Sequence, residues 1–250
     1  MDTFHSGIGG GGFALVKERG AEPVMYDYRE RAPEAAHKRM FDHMSPEASR
    51  WGGLAVTVPG EVRGYEALHR EHGRLAWHEL FEPAAEIAAR GFKVTPLLHL
   101  AIYETKQGVC AVEPLRHVYC PGGRVRQPGE HLVLPELAQT LRRIGAEGPD
   151  AFYHGDIAER TVNATQVAGG ILTLSDLAAY KPVRRAAQSI ELYGRHRVWS
   201  TTAPSSGSVL LSALQTYANF PEQPYEVTDA LATHRLIEAT KVRTPGRDAH

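Results

Sequence analysis

Apolar positions recur along this chain with two spacings, and each change of spacing marks the boundary of an element. In "FALVKERGAEPVMYDYRERAP" (13–33) two short runs flank a turn around Gly20, which predicts two strands, the second stopped by Pro33. Alternation along the second puts Met25, Asp27, Arg29 and Arg31 on one face, with Tyr26, Tyr28 and Glu30 on the other. "GLAVTVPG" (53–60) predicts a further short strand.

The period then lengthens to that of a helix. In "GEVRGYEALHREHG" (60–73) Val62, Tyr65 and Leu68 recur at helical steps and Gly73 stands at the C-terminal cap. "FEPAAEIAARGF" (81–92) carries Pro83 near its start and Gly91 just past its end, the usual punctuation of a helix. These two are expected to form an antiparallel pair. Periodicity weakens from Thr95 to Glu130, where "CPGGRVRQPGE" is rich in turn residues.

Helical spacing returns in "LPELAQTLRRIGAEG" (134–148), with Leu134, Leu137, Leu141 and Ile144 on one stripe. "GDIAERTVNATQVAGG" predicts another helix, and "LSDLAAYKP" a short one capped by Ser175 and stopped by Pro182. "IELYGRHRVWS" predicts two strands turning at Gly194. Two last helices follow, in "SSGSVLLSALQTYANF" with Leu210, Leu214 and Tyr217 inward, and in "VTDALATHRLIEATK" with Ala232, Leu236 and Ala239 on a stripe. That stripe breaks off at "VRTPGRDAH" (242–250), so the last helix reads as cut in mid-pattern. No repeat, low-complexity tract or linker interrupts the series, and the whole reads as one α/β unit.

Composition narrows the function classes. The 250 residues suffice for a substantial core, and 42% are hydrophobic against 23% charged. No apolar run approaches the roughly 20 residues of a membrane span. The 28 basic and 29 acidic residues leave a formal charge of -1 with no basic cluster, which argues against nucleic acid as a partner. "MDTFHSGIGG" has neither the basic nor the apolar region of a secretion signal, so either the protein is cytosolic or its true N-terminus lies elsewhere. Cys110 and Cys120 are too far apart for a C-x-x-C redox pair and too few for a four-cysteine zinc site, which leaves a loop disulfide or two buried thiols.

Four motifs invite chemistry. Gly7, Gly9 and Gly12 in "HSGIGGGGF" have the spacing G-x-G-x-x-G, yet a dinucleotide site needs a strand before the first glycine and a helix after the third, whereas "FALV" is strand-like. A glycine loop that lets backbone approach backbone is the simpler expectation. Among 13 histidines the one close pair is His69 and His72, without an H-E-x-x-H motif, so packing is favoured over a metal site. "TTAPSSGS" offers the hydroxyls of Thr201, Thr202, Ser205, Ser206 and Ser208, but no G-x-S-x-G elbow and no histidine at a telling spacing, so helix capping is expected. In "YDYRERAP" an arginine leaving a strand can offer a planar fork of donors to a carboxylate, and periodicity leaves Arg29 and Arg31 equivalent.

With these residues in hand, the chain resembles the large subunit of the γ-glutamyltransferase (γ-glutamyl transpeptidase, glutathione hydrolase) family. The likeness runs in order through "HSGIGGGGF", "YDYRERAP", "VPGEVRGYEALHREHGRLAWHELFEPAAEIAARGF", "EGPDAFYHGDIAE", "GGILTLSDLAAY", "APSSGSV" and "THRLIEAT". The resemblance implies an α/β fold, part of the αββα sandwich of N-terminal-nucleophile hydrolases, over residues 1–241, with a divergent tail at 242–250. In that family a precursor cleaves itself to expose a threonine at the start of a small subunit. This threonine attacks the γ-glutamyl carbonyl of glutathione or a related amide, its own α-amino group serving as base, and water or an acceptor amine resolves the acyl-enzyme.

The first arginine of the family's R-E-x-A-P motif grips the α-carboxylate of the γ-glutamyl group, and it falls on Arg29. The resemblance thus breaks the tie with Arg31. No cofactor and no metal are expected. The resemblance also implies that the nucleophile belongs to a small subunit beyond this sequence, with Thr201 and Thr202 in a large-subunit turn, so that no catalytic residue is assigned in this chain. The expectation is a piece of a γ-glutamyltransferase, inactive alone, that would act on glutathione with its missing small subunit; the alternative is a non-catalytic pseudo-subunit that modulates a complete enzyme. Family members are usually membrane-anchored or secretory, and in a secretory protein Asn163 of the sequon "NAT" becomes a glycosylation candidate.

Overall fold

The computed structural model of the chain describes residues 3–5, 7–194, 196–221 and 226–241; the divergent tail expected at 242–250 lies outside them. In chain order its strands are β1 (Phe13–Val16), β2 (Val24–Asp27), β3 (Phe92–Lys93), β4 (His131–Leu132), β5 (Val183–Ala186), β6 (Gln188–Leu192) and β7 (His196–Ser200). The helices are α1 (Glu61–His72), α2 (Trp77–Arg90), α3 (Pro96–Glu104), α4 (Lys106–Val109), α5 (Leu115–Tyr119), α6 (Pro135–Glu147), α7 (Asp150–Tyr153), α8 (Gly155–Val167), α9 (Leu174–Ala179), α10 (Gly207–Ala218) and α11 (Asp229–Lys241). Among the described residues no helix is long and apolar enough to cross a membrane.

Where the pattern along the chain predicts one unit, the described residues pack as two: those of 3–12 with 28–182, and those of 13–27 with 183–241. No linker announces the division, because each unit is assembled from two separate stretches of chain. In the second unit β1 and β2 form the expected antiparallel hairpin, pairing Phe13 with Asp27 and Val16 with Val24. The strand β5, which the local pattern does not reveal, joins β2 antiparallel with Val24 opposite Ala186 and Asp27 opposite Val183. That addition makes β2 the centre of a three-stranded sheet in the order β1-β2-β5 and buries Met25, Tyr26 and Asp27 alike. The buried Asp27 carboxylate accepts from Arg185 Nε at 3.0 Å and from a terminal guanidinium nitrogen at 2.8 Å, so the charge is matched.

The hairpin β6–β7 turns at Tyr193 and Gly194, as expected, and α10 packs on both of its strands and on α11. Its buried face carries Leu211 and Ala213, whereas Leu210 is 54% exposed, so the inward stripe is rotated from the expected one. On α11 Ala239 is buried but Leu236 is exposed.

The first unit is mostly helical. Its main layer sets α2 against α6, instead of pairing α2 with α1. Leu141 and Ile144 of α6 face inward as expected, and Trp77 of α2 donates its indole N–H to the Ile144 carbonyl at 2.9 Å. The helix α2 begins at Trp77, earlier than Pro83 suggests, because Glu79 reaches back to accept from the Ala76 amide at 2.9 Å. Pro83 is therefore interior, where it removes one bond of the helical ladder. The core around this layer includes Val62, Ala85, Ile144, Ala158, Leu172 and Leu177, all at 0% exposure. The segment 53–60 is not a strand: Gly53–Ala55 is a tight helical turn, and one bridge pairs Val58 with Arg31. The cap of α9 is Thr173 rather than Ser175, with Asp176 completing a reciprocal box.

A second, smaller core of Val94, Leu98, Ile102, Cys120 and Leu132 lies under α3, α5 and the two-residue ladder β3–β4. Cys110 and Cys120 are joined in a disulfide with Cα atoms 5.5 Å apart, which decides between the two alternatives the sequence leaves open.

Candidate functional site

Beyond Asp27 the chain runs out of its sheet into the stretch Tyr28–Arg31, and its hydrogen bonds explain why Arg29 sits where it does. Tyr28 exchanges backbone bonds with Gly12, N–H to carbonyl at 3.0 and 3.3 Å. Arg31 exchanges them with Val58 at 3.2 and 2.7 Å. Arg29 and Glu30 are thus suspended between two paired residues, and the Tyr180 hydroxyl donates to the Arg29 carbonyl at 2.8 Å.

Two glycines make this approach possible. A Cβ on Gly11 would lie 2.4 Å from the Tyr28 carbonyl oxygen, and one on Gly60 would lie 2.0 Å from the same atom and 2.2 Å from the Tyr180 hydroxyl. Backbone rests on backbone here, with no room for a methyl group. Gly11 and Gly12 of "HSGIGGGGF", together with Gly60, therefore form a close-packed lining under the arginine segment, whereas a Cβ on Gly7 or Gly9 would meet nothing within 4 Å. The block does not form the dinucleotide arrangement: β1 follows Gly12, and the Gly60 and Glu61 amides at the start of α1 already donate to the Gly10 carbonyl at 2.8 and 3.0 Å.

The surroundings of this lining are acidic and phenolic. Glu61, 6% exposed, accepts a hydrogen bond from the Tyr65 hydroxyl, and the Tyr28 and Tyr65 rings lie 6.1 Å apart. A Cβ on Gly10 would be 3.5 Å from both a Glu30 and a Glu61 carboxylate oxygen, so both carboxylates face this loop. Burial raises the Tyr28 phenol pKa, and the Glu61 charge adds to the effect. Burial likewise raises Tyr65, helped by its bond to Glu61. Both phenols remain neutral donors across the physiological range.

The structure separates the two arginines that periodicity leaves equal. Both are exposed, but the Arg31 guanidinium lies over the Tyr180 ring, 5.4 Å from its centroid, in a cation–π contact. Arg29 is instead held through its backbone by Tyr180.

The other candidates fall elsewhere. His69 bonds through Nε2 to the Leu75 carbonyl at 2.8 Å and packs edge-on against Trp77, and with His72 it lines an apolar groove of about 500 Å³ between α1 and α2. Among the described residues no group of three or more His, Cys, Asp or Glu is placed to hold a metal ion. In the second unit Thr201 and Ser205 share a hydroxyl–hydroxyl bond, Ser205 donates to the Thr202 carbonyl at 2.9 Å, and Ser208 donates to Gln188 at 2.7 Å. Capping of α10 comes from Ser205, whose hydroxyl accepts from the Gly207 amide at 3.3 Å, while Ser206 in the cap position makes no side-chain cap. Asn163 is exposed on α8, but Thr165 of its sequon is buried and donates to the Thr161 carbonyl at 2.7 Å.

Tyr180 and Glu61 are the components that sequence reasoning missed. Tyr180 reads locally as the tail of a short helix, and its partner Arg29 is 151 positions away, so no local spacing signals the contact. Glu61 reads as an acidic first-turn residue, an assignment that holds for countless helices.

A family model described as gamma-glutamyltranspeptidase matches residues 1–250. The chain is 41% identical to a glutathione hydrolase proenzyme of Arthroderma benhamiae over 95% of its own length and 41% of that protein's. It is 38% identical to glutathione hydrolase 2 of Arabidopsis thaliana, over 94% of this chain and 40% of that one. The chain thus spans about two fifths of the length of these curated relatives. Among solved structures it superposes on the Helicobacter pylori gamma-glutamyltranspeptidase with a TM-score of 0.86 at 31% identity, covering 94% of this chain and 68% of that one. The mixed α/β fold is accordingly that of an N-terminal-nucleophile hydrolase family, as the resemblance implied.

Proposed function

Because the chain belongs to the gamma-glutamyltranspeptidase family, we propose that it is the large-subunit part of a glutathione hydrolase or γ-glutamyltransferase, and that Arg29 binds the α-carboxylate of the γ-glutamyl substrate. The observation that supports this reading is the exposed Arg29 on a backbone fastened on both sides, within the block "YDYRERAP" that resembles the family's arginine motif. A guanidinium presents parallel N–H groups to a carboxylate, and a fixed clamp of that kind orients the γ-carbonyl for attack. The attacking group in this reading is the N-terminal threonine of a small subunit, a segment outside these 250 residues. Its acyl-enzyme passes to water in hydrolysis or to an amine in transfer. The clamp holds the donor and takes no part in bond making.

In the complete enzyme, Arg29→Lys is expected to raise the KM for γ-glutamyl-p-nitroanilide on the order of tenfold to a hundredfold, since lysine cannot form the bidentate pair. Arg31→Lys, which retains a cation for the Tyr180 ring, is expected to change it roughly threefold or less. Equal effects would overturn the assignment. The 250 residues by themselves are expected to release no p-nitroaniline; turnover by the purified chain would place a nucleophile within it and reopen the case of Thr201, Thr202 and the neighbouring serines.

A further inference from the structure

We propose that Tyr180 is a positioning residue for the γ-glutamyl substrate, setting through its hydroxyl the place from which Arg29 meets the carboxylate. The inference rests on the assignment of Arg29 to that carboxylate and adds a residue that acts through it.

Tyr180 is 3% exposed, and its ring stacks nearly parallel on Tyr153, with centroids 6.2 Å apart and planes inclined by 10°. Tyr153 is itself anchored: its hydroxyl donates to the Pro59 carbonyl at 3.0 Å and accepts from the Arg63 amide at 3.2 Å. The apolar body of Tyr180 is thus secured by packing that a phenylalanine would reproduce. Its hydroxyl does something different, reaching the Arg29 carbonyl at 2.8 Å across a space kept open by Gly60.

The helix preceding Tyr180 grips the same segment a second time. Asp176, held in the α9 cap by Thr173, accepts from the Glu34 amide at 2.8 Å. The α9–Tyr180 stretch therefore straps the arginine segment at both ends, at Arg29 and at Glu34, with Arg31 laid over the Tyr180 ring between them. A strap of two hydrogen bonds on backbone atoms fixes the path of the chain that carries Arg29. Bidentate recognition tolerates little displacement, so the loss of one fastening is felt at the carboxylate rather than at the scissile bond.

The test uses the complete enzyme with Tyr180→Phe, Arg29→Lys and the double variant, assayed on γ-glutamyl-p-nitroanilide with thermal midpoints measured alongside. Tyr180→Phe is expected to raise KM about threefold to tenfold, the worth of one neutral hydrogen bond, with kcat within about twofold. In the Arg29→Lys background the same change should add little, because both act on one carboxylate contact. A lowered thermal midpoint with KM unmoved would show Tyr180 to be structural only and overturn the inference. If Arg29→Lys itself leaves KM unchanged, the assignment of Arg29 falls and this inference with it, an outcome distinct from failure of Tyr180 alone. Should Tyr180→Phe not fold, Asp176→Asn loosens the Glu34 end of the strap, and it is expected to raise KM by a smaller factor, again without additivity to Arg29→Lys; an unchanged KM there overturns the strap.

Discussion

The helical layer α2/α6 and the lining under Arg29 belong to one unit, yet they are held together by opposite means. Around Ile144 stability comes from side chains that fill space, and removing carbon there would open a cavity. Around Tyr28 it comes from side chains that are absent, and adding carbon at Gly11 or Gly60 drives a methyl group into a carbonyl oxygen. The contrast teaches where this fold has slack. A core of aliphatic side chains can repack by small shifts of many atoms, whereas backbone laid on backbone can yield only by moving the chain, and here that chain carries Arg29.

The largest effect is therefore expected in the lining. Gly60→Ala should give no folded protein or cost at least about 4 kcal/mol in urea unfolding, because its Cβ meets both the Tyr28 carbonyl and the Tyr180 hydroxyl. Gly9→Ala, in the neighbouring glycine-rich block, supplies the control: nothing lies within 4 Å of its Cβ, so a change of less than roughly 0.5 kcal/mol is expected. Similar losses for the two would erase the distinction between a packed glycine and a permissive one. In the helical layer Ile144→Ala should cost about 3 kcal/mol, and a loss under roughly 1 kcal/mol would show that the core collapses around the vacancy.

The smallest effect concerns the α9 cap. Burial opposes the charge on Asp176, but the bonds from the Thr173 hydroxyl and from the Glu34 and Thr173 amides outweigh it and hold the carboxyl below its usual pKa. A carboxyl depressed on folding contributes stability that is fully present above its unfolded value, about 4, and is lost as the pH falls through the folded value. The difference in unfolding free energy between the wild type and Asp176→Asn should therefore be constant from pH 7 to about 5 and shrink below about 4. A difference that instead widens on acidification would mean that the charge opposes folding.

Much of the first unit was readable from local pattern. The stripe of Leu141 and Ile144 and the punctuation by Gly91 lie within a turn or two of the helices they describe. The hairpin β1–β2 and the turn at Gly194 follow from short apolar runs around turn residues. Where local reading failed for a strand, a distant partner decided the outcome. "GLAVTVPG" has the composition of a strand but finds one bridging partner, Arg31, and so forms no ladder. Val183–Ala186 has little strand signal yet becomes one because β2 offers it an open edge. Capping at Thr173 and the early start of α2 turned on which acidic side chain, Asp176 or Glu79, reached back to an amide.

Local sequence was enough for the long helices α1, α6, α8, α10 and α11, for the hairpins β1–β2 and β6–β7, and for the order of motif blocks that marks the family, but not for the helices α3 to α5. What it determined is written in neighbouring residues, whose periodicity and turn chemistry act over a few positions. Folding in three dimensions was needed to make β2 a central strand, to bond Cys110 to Cys120, to lay Arg31 on Tyr180 and to fasten the Arg29 backbone to Tyr180. Apart from the disulfide, which joins residues ten positions apart, each of those outcomes needs groups far apart in the chain to meet within a few ångströms, and that is settled by the packing of the whole unit rather than by any stretch of its sequence.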